Sequence, residues 1–192
     1  TIVGACICYL LSISWLKWGD LIIDTYQDLW LPTQINEGRV LYKDIFYPFG
    51  FFAPYLLASA YRLSGVCIYA AAACGIATTI AMSLVIYNIS RFFLDELFSL
   101  LTTLTFLFVF AFGNVFIFNF ILPYTFASTF CILFIASALY FFIKFIFTEE
   151  KKYLFFWSIF LTFAFFSRPE MPLPTHAAFI LIAVLLAAIV LI

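Results

Sequence analysis

Two aspartates, one helical turn apart, are the residues best placed for chemistry in this sequence. Asp24 and Asp28 lie in the stretch DTYQDLW, and a spacing of four residues puts both carboxylates on one face of a helix, where they repel by roughly 0.2–0.5 kcal/mol. Such a pair is tolerated when water solvates it, and is useful when it faces a cation, a metal or a proton to be abstracted. Two interpretations stay open: a solvated face of an interfacial helix, or a general base with a neighbouring acid.

A second charged group, Arg168-Pro169-Glu170, interrupts apolar sequence near the end of the chain. A charge near lipid is costly and usually faces a partner or a polar cavity. Arginine can clamp a phosphate through two parallel donors. The alternative is a short solvated turn in which Arg168 and Glu170 satisfy each other.

Two amides form the third polar feature. Asn114 and Asn119 flank VFIF, shortly before Pro123-Tyr124. Amides near a membrane interface bind hydroxyl groups or cap helix ends. The sequence leaves both roles open.

Composition decides the class of protein that must position these residues. Of the 192 residues 67% are hydrophobic and 10% are charged, and the mean hydropathy is +1.17, whereas a soluble domain is about half apolar and about a quarter charged. This indicates an integral membrane protein whose partner is membrane lipid. The net charge of −1 gives no indication of a nucleic-acid partner.

The apolar runs predict a single all-α, polytopic transmembrane domain over 1–192. A span needs about 20 mostly apolar residues, and its backbone polar groups must pair internally, as they do in a helix. A long first loop, 19–65, separates the first two spans and is expected to hold two interfacial helices: one over 20–31, interrupted or ended by Pro32, and one from about 53 to 63, ended by Gly65. The six predicted spans are 2–18, 66–89, 97–113, 122–147, 153–167 and 171–192.

Alternation of six spans assigns each loop to a side of the membrane. The segments 19–65, 114–121 and 167–170 fall on one side, and 90–96 and 148–152 on the other. The basic cluster in KFIFTEEKK favours the second side as cytoplasmic. The three polar stretches are therefore expected together on the extracytoplasmic face.

The stretch DTYQDLWLPTQINEGRVLYKDIFYPFGFFAPY, residues 24–55, resembles the first extracytoplasmic loop of bacterial type C glycosyltransferases. These are polytopic enzymes related to protein mannosyltransferases and aminoarabinose transferases. GNVFIFNFILPY and SRPE look like later elements of the same group, while Phe51-Phe52 replaces the usual Pro-Leu. Members have more spans, so the chain is expected to be the N-terminal part of a longer enzyme. The matching positions are Gly38, Leu41, Tyr42, Lys43 (in place of Arg), Asp44, Ile45, Gly50, Pro54 and Tyr55.

The resemblance implies a function and a role for each polar residue. Such enzymes move a sugar from a polyprenyl-phosphate donor to an acceptor hydroxyl at the extracytoplasmic face, in bacteria at the plasma membrane, with inversion at the anomeric carbon. Asp24 aligns with the general base, and Arg168 or Lys43 could supply charge to the departing phosphate. Asp28 or Asp44 could orient the acceptor or help to hold a divalent metal ion where the enzyme uses one. The other candidate substrate-binding residues are Asn114, Asn119 and Glu170. The sugar and the acceptor stay open.

Two other classes compete with this interpretation. A transporter or channel subunit would use the same acids to bind a cation or relay protons, but it should carry charges near the middle of its spans. Apart from Lys17 and Lys144 near span ends, the predicted spans carry none. A purely structural membrane protein would leave the clustered acids unexplained.

Overall fold

A computed structural model describes residues 2–15, 17, 24–113 and 119–171 of the chain, with Asp24 described by its backbone alone. The described part is all-helical and contains no β-strand, only an isolated bridge between Leu41 and Ile45. A π-helical segment, Phe106–Ala111, continues α5 directly. The helices are α1 (Ile2–Ser14), α2 (Asp24–Asn36), α3 (Phe52–Ser64), α4 (Ile68–Ser90), α5 (Glu96–Thr105), α6 (Phe126–Thr148) and α7 (Lys152–Ser167).

Helix length separates α4 and α6 from the others. Each has 23 residues, which rise about 35 Å and exceed a hydrocarbon core about 30 Å thick. Within the described ranges these two are long and apolar enough to cross a membrane; α1, α7 and the continuous Glu96–Ala111 helix are apolar but shorter. The described helices thus supply two candidate spans where the sequence predicts six, and the predicted span 171–192 lies almost wholly outside the described residues.

Short turns join the long apolar helices into antiparallel pairs. Glu149, in the left-handed backbone region with φ 57°, ends α6, and α7 follows almost at once and packs along it. In the turn between α4 and α5, Asp95 caps α5 by accepting a hydrogen bond from the Phe98 N–H at 3.0 Å. Helices α4 and α6 also pack on each other, so the two pairs form one layer.

The main apolar core lies where α3 meets the first turns of α4 and α6. Leu57 of α3, Ala71 of α4 and Phe126 of α6 are fully buried in it. Small side chains on α4 let the neighbouring backbone approach closely, and a Cβ added at Gly75 would overlap the carbonyl oxygen of Ile121. The core therefore fixes the turn before α6 against α4.

The two helices of the first loop form as expected, with one correction. Helix α3 occupies Phe52–Ser64 and ends at Gly65 with φ 82°, close to the predicted 53–63. The prediction that Pro32 interrupts or ends the first helix is wrong, because α2 continues through it to Asn36. Proline inside a helix costs about 3 kcal/mol; here Pro32 is itself buried and lies beside the fully buried Leu31, and burial of an apolar side chain recovers about 1.5–3 kcal/mol.

A compact turn connects α2 to the later part of the loop. Gly38, with φ 93°, ends α2, and the chain then folds so that Leu41 and Ile45 bury against Leu31 and Tyr47. This small cluster holds the motif loop on α2. It places the aromatic stretch FYPFG next to the first turn of α6.

Candidate active site at the start of α6

Asp28 is the buried acid of this region, 3% exposed. Its Oδ2 accepts the Phe126 N–H at 2.5 Å and its Oδ1 accepts the Tyr47 hydroxyl at 3.1 Å. The first amide groups of a helix have no partner within the helix, and a carboxylate there also meets the positive end of the helix dipole. Asp28 therefore fastens α2 to the start of α6, across 98 residues of sequence.

The start of α6 is capped locally, and the turn before it is bonded to α2. Thr125, the N-cap of α6, accepts the Ala127 N–H at 3.3 Å. Thr25 donates its hydroxyl to the Pro123 carbonyl at 3.1 Å. The solvated-face interpretation of the aspartate pair is thus wrong for Asp28, whose carboxylate works inside the protein. The side chain of Asp24 lies outside the described part of the structure.

Arg168 approaches the same turn of α6 from the end of α7. Its Nη1 donates to the Ser128 hydroxyl at 2.5 Å and its Nε to the Glu170 carboxylate at 2.7 Å. The guanidinium carbon lies 4.3 Å from the centre of the Phe49 ring, a cation–π distance. A fifth of the Arg168 side chain stays exposed, with half of Glu170. The expected Arg168–Glu170 pair exists, but Arg168 is also attached to two other elements.

These contacts close into a ring around the N-terminus of α6. Asp28 contacts Tyr47, whose ring packs edge-on against Phe49 at 5.4 Å. Phe49 lies on Arg168, and Arg168 returns to α6 through Ser128, two residues after the amide that Asp28 accepts. The N-terminus of α6 thus positions an acidic residue of α2, Asp28, and a basic residue at the end of α7, Arg168.

Gly50 joins the motif loop to the end of α7. Its N–H donates to the Ser167 carbonyl at 2.9 Å, and a Cβ at this position would overlap the carbonyl group of Phe166. Only glycine allows this close approach of two backbones. This contact brings the first loop and the end of α7 together in the fold.

Lys43 and Asp44 are exposed residues of the turn 40–45. The Asp44 Oδ2 accepts the Val40 N–H at 2.8 Å, and Tyr42 takes a left-handed conformation with φ 66° while its hydroxyl donates to the Phe49 carbonyl at 2.6 Å. The hydrogen bond of the Asp44 side chain stays within its own turn, whereas those of Arg168 and Asp28 go to other elements. The most recognisable part of the motif therefore shapes the loop that carries Phe49.

Asn119 serves its own turn. Its Oδ1 accepts the N–H groups of Ile121 at 2.7 Å and Leu122 at 3.2 Å, and its Nδ2 donates to the Leu122 carbonyl at 3.2 Å. These bonds hold a turn and not a helix end, so the structure shows neither of the two roles left open for Asn119, and the side chain is buried. Asn114 lies outside the described residues.

Three residues of the ring were not among the sequence candidates: Tyr47, Phe49 and Ser128. Ser128 carried a local signal, since Thr125 before a long apolar run is a typical N-cap, and this cap puts Ser128 in the first helical turn of α6. Tyr47 and Phe49 lie in an aromatic run without any distinguishing spacing. Their roles depend on contacts that no local pattern contains.

Burial raises the pKa of Tyr47, the tyrosine in the ring of contacts around α6. The pKa of Tyr47 is raised well above its usual range, first because burial disfavours the phenolate and second because Asp28 carries negative charge beside it. Tyr47 therefore stays a hydrogen-bond donor to Asp28 throughout the physiological pH range. It acts as a support for the carboxylate and not as an acid or base.

The described side chains do not assemble a metal site. Within the described ranges no three His, Cys, Asp or Glu side chains cluster as metal ligands. Both oxygens of Asp28 already accept hydrogen bonds from protein donors.

Comparison with models of protein families, with curated proteins and with solved structures found no match for this chain.

Proposed function

We propose that the chain is part of a membrane glycosyltransferase that transfers a sugar from a polyprenyl-phosphate donor to an acceptor hydroxyl, with inversion, at the extracytoplasmic face. The observation that carries the proposal is the position of Arg168, partly exposed and held at the N-terminus of α6 by Ser128 and Phe49. The positive end of a helix and a guanidinium together favour an anion. The leaving group of the proposed reaction is a lipid phosphate.

The general base of the proposed reaction is an aspartate on α2. Asp24 begins this helix, one turn before the buried Asp28. In the proposal Asp24 removes the proton of the acceptor hydroxyl as its oxygen attacks the anomeric carbon, while the bond to the phosphate oxygen breaks on the opposite face. Asp28 holds α2 on α6 and is a positioning residue. Lys43, Asp44, Asn114 and Glu170 remain proposed substrate contacts, whereas Asn119 is buried and bonded to its own turn.

Arg168 has a defined part in this scheme. Negative charge grows on the phosphate as it leaves, and a preorganised guanidinium stabilises that charge more in the transition state than in the ground state. The Glu170 carboxylate and the Phe49 ring orient the guanidinium, which would reduce the reorganisation that the reaction requires. Its Nη2 group makes no hydrogen bond among the described residues and is the donor proposed for the phosphate.

The proposal includes six spans. The apolar helices α1, Glu96–Ala111 and α7 would cross with α4 and α6, and the predicted span 171–192 would be the sixth. A six-span arrangement puts the whole ring of contacts around the N-terminus of α6 on one face of the membrane. That face is where a lipid-linked donor presents its phosphate.

Sugar transfer by membranes that carry the full-length protein tests the proposal. Arg168→Ala should lower the rate of transfer from labelled polyprenyl-phosphate sugars by about 10²-fold or more, and Arg168→Lys should retain part of the rate because it keeps the charge but loses the planar fork. Arg39→Ala, which replaces an exposed arginine of the first loop, is the matched control and should transfer normally.

Two results would contradict the proposal. Normal turnover and normal donor affinity in Arg168→Ala would show that Arg168 does not bind the phosphate and is only a charged residue of the turn. Proton or cation flux through reconstituted vesicles, without transfer from any donor tested, would favour the transporter alternative.

A further inference from the structure

The end of α6 farthest from Arg168 holds a lysine between two tyrosine rings. The Lys144 Nζ lies 5.2 Å from the ring centres of both Tyr140 and Tyr153. The Nζ of Lys152, at the start of α7, lies 5.0 Å from the same Tyr153 ring. One tyrosine therefore gathers two ammonium groups at the α6–α7 turn.

Three lysines, Lys144, Lys151 and Lys152, stand against two glutamates, Glu149 and Glu150, so this end of α6 carries one positive charge in excess. Lys152 forms an ion pair with Glu150. Lys144 forms no ion pair with any residue in the described ranges. Its ammonium group has three donors, and the Tyr140 and Tyr153 rings attract it without carrying a formal negative charge. A positive charge thus stays available beside Tyr140 and Tyr153.

The surroundings of this charge are apolar and exposed. Phe147 is 61% exposed and Phe155 is 64% exposed, and Phe147 stacks on Phe92 of the α4–α5 turn at 5.4 Å. Tyrosine and lysine at the end of an apolar helix, with exposed aromatic rings beside them, are typical of a membrane–water interface. A ligand here must combine an anionic head with an apolar body.

We propose that Lys144, Tyr140, Tyr153 and Lys152 form a binding site for the phosphate group of an anionic phospholipid. The ammonium and phenol groups donate to the phosphate oxygens, while Phe155, which lies inward from Lys152 along α7, contacts the acyl chains. Because the two rings already restrict the Lys144 ammonium, binding orders few further groups. The inference requires α6 to cross a membrane, as its length and composition permit, and is independent of the proposed sugar transfer.

Spin-labelled lipids test the site directly. The full-length protein is reconstituted in phosphatidylcholine vesicles that carry a trace of spin-labelled phosphatidylglycerol or, in a parallel sample, spin-labelled phosphatidylcholine. The motionally restricted fraction gives the relative association of each lipid. The wild type should prefer phosphatidylglycerol by about fivefold or more, the preference that a single lysine near an anionic surface supplies.

Matched variants distinguish a specific lipid-binding site from general attraction between basic residues and anionic lipid. Lys144→Gln should lose most of the preference, and Lys144→Arg should retain it. Lys17→Gln removes another lysine at a helix end, one that donates to the Ile13 carbonyl at 2.9 Å, and should leave the preference nearly unchanged. Equal losses in Lys144→Gln and Lys17→Gln, or no preference in the wild type, would overturn the proposal.

Discussion

At the scale of single residues, the acid with the clearest role is a structural one. Asp28 is buried with an amide of α6 on one oxygen and a tyrosine hydroxyl on the other. A buried carboxylate is unfavourable unless both its charge and its lone pairs find partners. The helix start and Tyr47 provide them. This explains how a chain with so few polar residues can keep a charge inside its packed region.

Replacing Asp28 separates its charge from its hydrogen bonds. Asp28→Ala should lower the free energy of unfolding by about 1–3 kcal/mol, because the buried Phe126 N–H loses its acceptor. Asp28→Asn should cost less, since its amide oxygen can still accept that N–H. Thermal unfolding in detergent measures both variants.

Asp44→Ala is the control for Asp28. Asp44 is exposed, so water replaces it at the Val40 N–H and the expected change stays below about 1 kcal/mol. If Asp28→Ala were as stable as Asp44→Ala, the link between α2 and α6 would contribute little to folding.

Tyr47 gives the stability of the protein a dependence on alkaline pH. Because the pKa of Tyr47 is raised in the folded protein, the folded state keeps this proton above about pH 10, where the unfolded chain releases it. The folded state then binds more protons, so stability falls as the pH rises. Tyr47→Phe loses a hydrogen bond worth about 0.5–1.5 kcal/mol at neutral pH but escapes the alkaline loss.

Denaturation of the wild type and of Tyr47→Phe from about pH 7 to about pH 11 measures how the free energy of unfolding of each depends on pH. The difference in stability between wild type and Tyr47→Phe should narrow above about pH 10. A difference that stays constant over the whole range would mean that Tyr47 ionises as readily in the folded protein as in the unfolded chain.

At the scale of elements, the close approach at Gly50 decides whether the motif loop docks. Gly50→Ala places a methyl group on the Phe166 carbonyl, and backbone atoms on both sides cannot move without shifting α7. The loop should detach from the end of α7, which would speed tryptic cleavage at Arg39 and Lys43. Gly4→Ala, where an added Cβ meets nothing within 4 Å, should leave cleavage unchanged. Equal cleavage rates in both variants would show that the loop is held without this contact.

Apolar periodicity and run length locate the helices but not their contacts. The predicted runs 66–89 and 153–167 agree with α4 and α7 within a few residues, because a long apolar run in this composition can bury its backbone only as a helix. Pro32 misleads the prediction, because the burial of Leu31 and of Pro32 itself offsets the local penalty. The predicted run 122–147 begins earlier than α6 does, because the turn held by Asn119 is as apolar as the helix after it.

The candidate site was only partly accessible to sequence reasoning. The 38–55 motif and the charge of Arg168 stand out in the sequence. The burial of Asp28 does not, because its partner amide is 98 residues away. Phe49 could not be distinguished from the other aromatic residues around it until the fold placed it against Arg168.

At the scale of the whole molecule, each end of the helix layer is assigned to a side of the membrane. The ring around α6 is proposed to be extracytoplasmic and the α6–α7 turn cytoplasmic. In a background without the five native cysteines, Glu37→Cys in the first loop should react with an impermeant thiol reagent on intact cells, because position 37 is exposed. Thr148→Cys, exposed at the other end, should react only after the cells are permeabilised. Labelling of Thr148→Cys but not of Glu37→Cys on intact cells would show that the protein has the opposite orientation.

The turnover of Asp24→Asn tests the central claim, sugar transfer with an aspartate base, most directly. Asparagine keeps the shape of the side chain but cannot take a proton, so the rate of transfer should fall roughly 10²–10⁴-fold, while binding of the polyprenyl-phosphate donor and thermal stability stay near those of the wild type. Asp44→Asn, which preserves the oxygen facing Val40, should retain most of the rate. Near-normal transfer by Asp24→Asn, beside a folded but inactive Asp44→Asn, would contradict the account and move the base to Asp44.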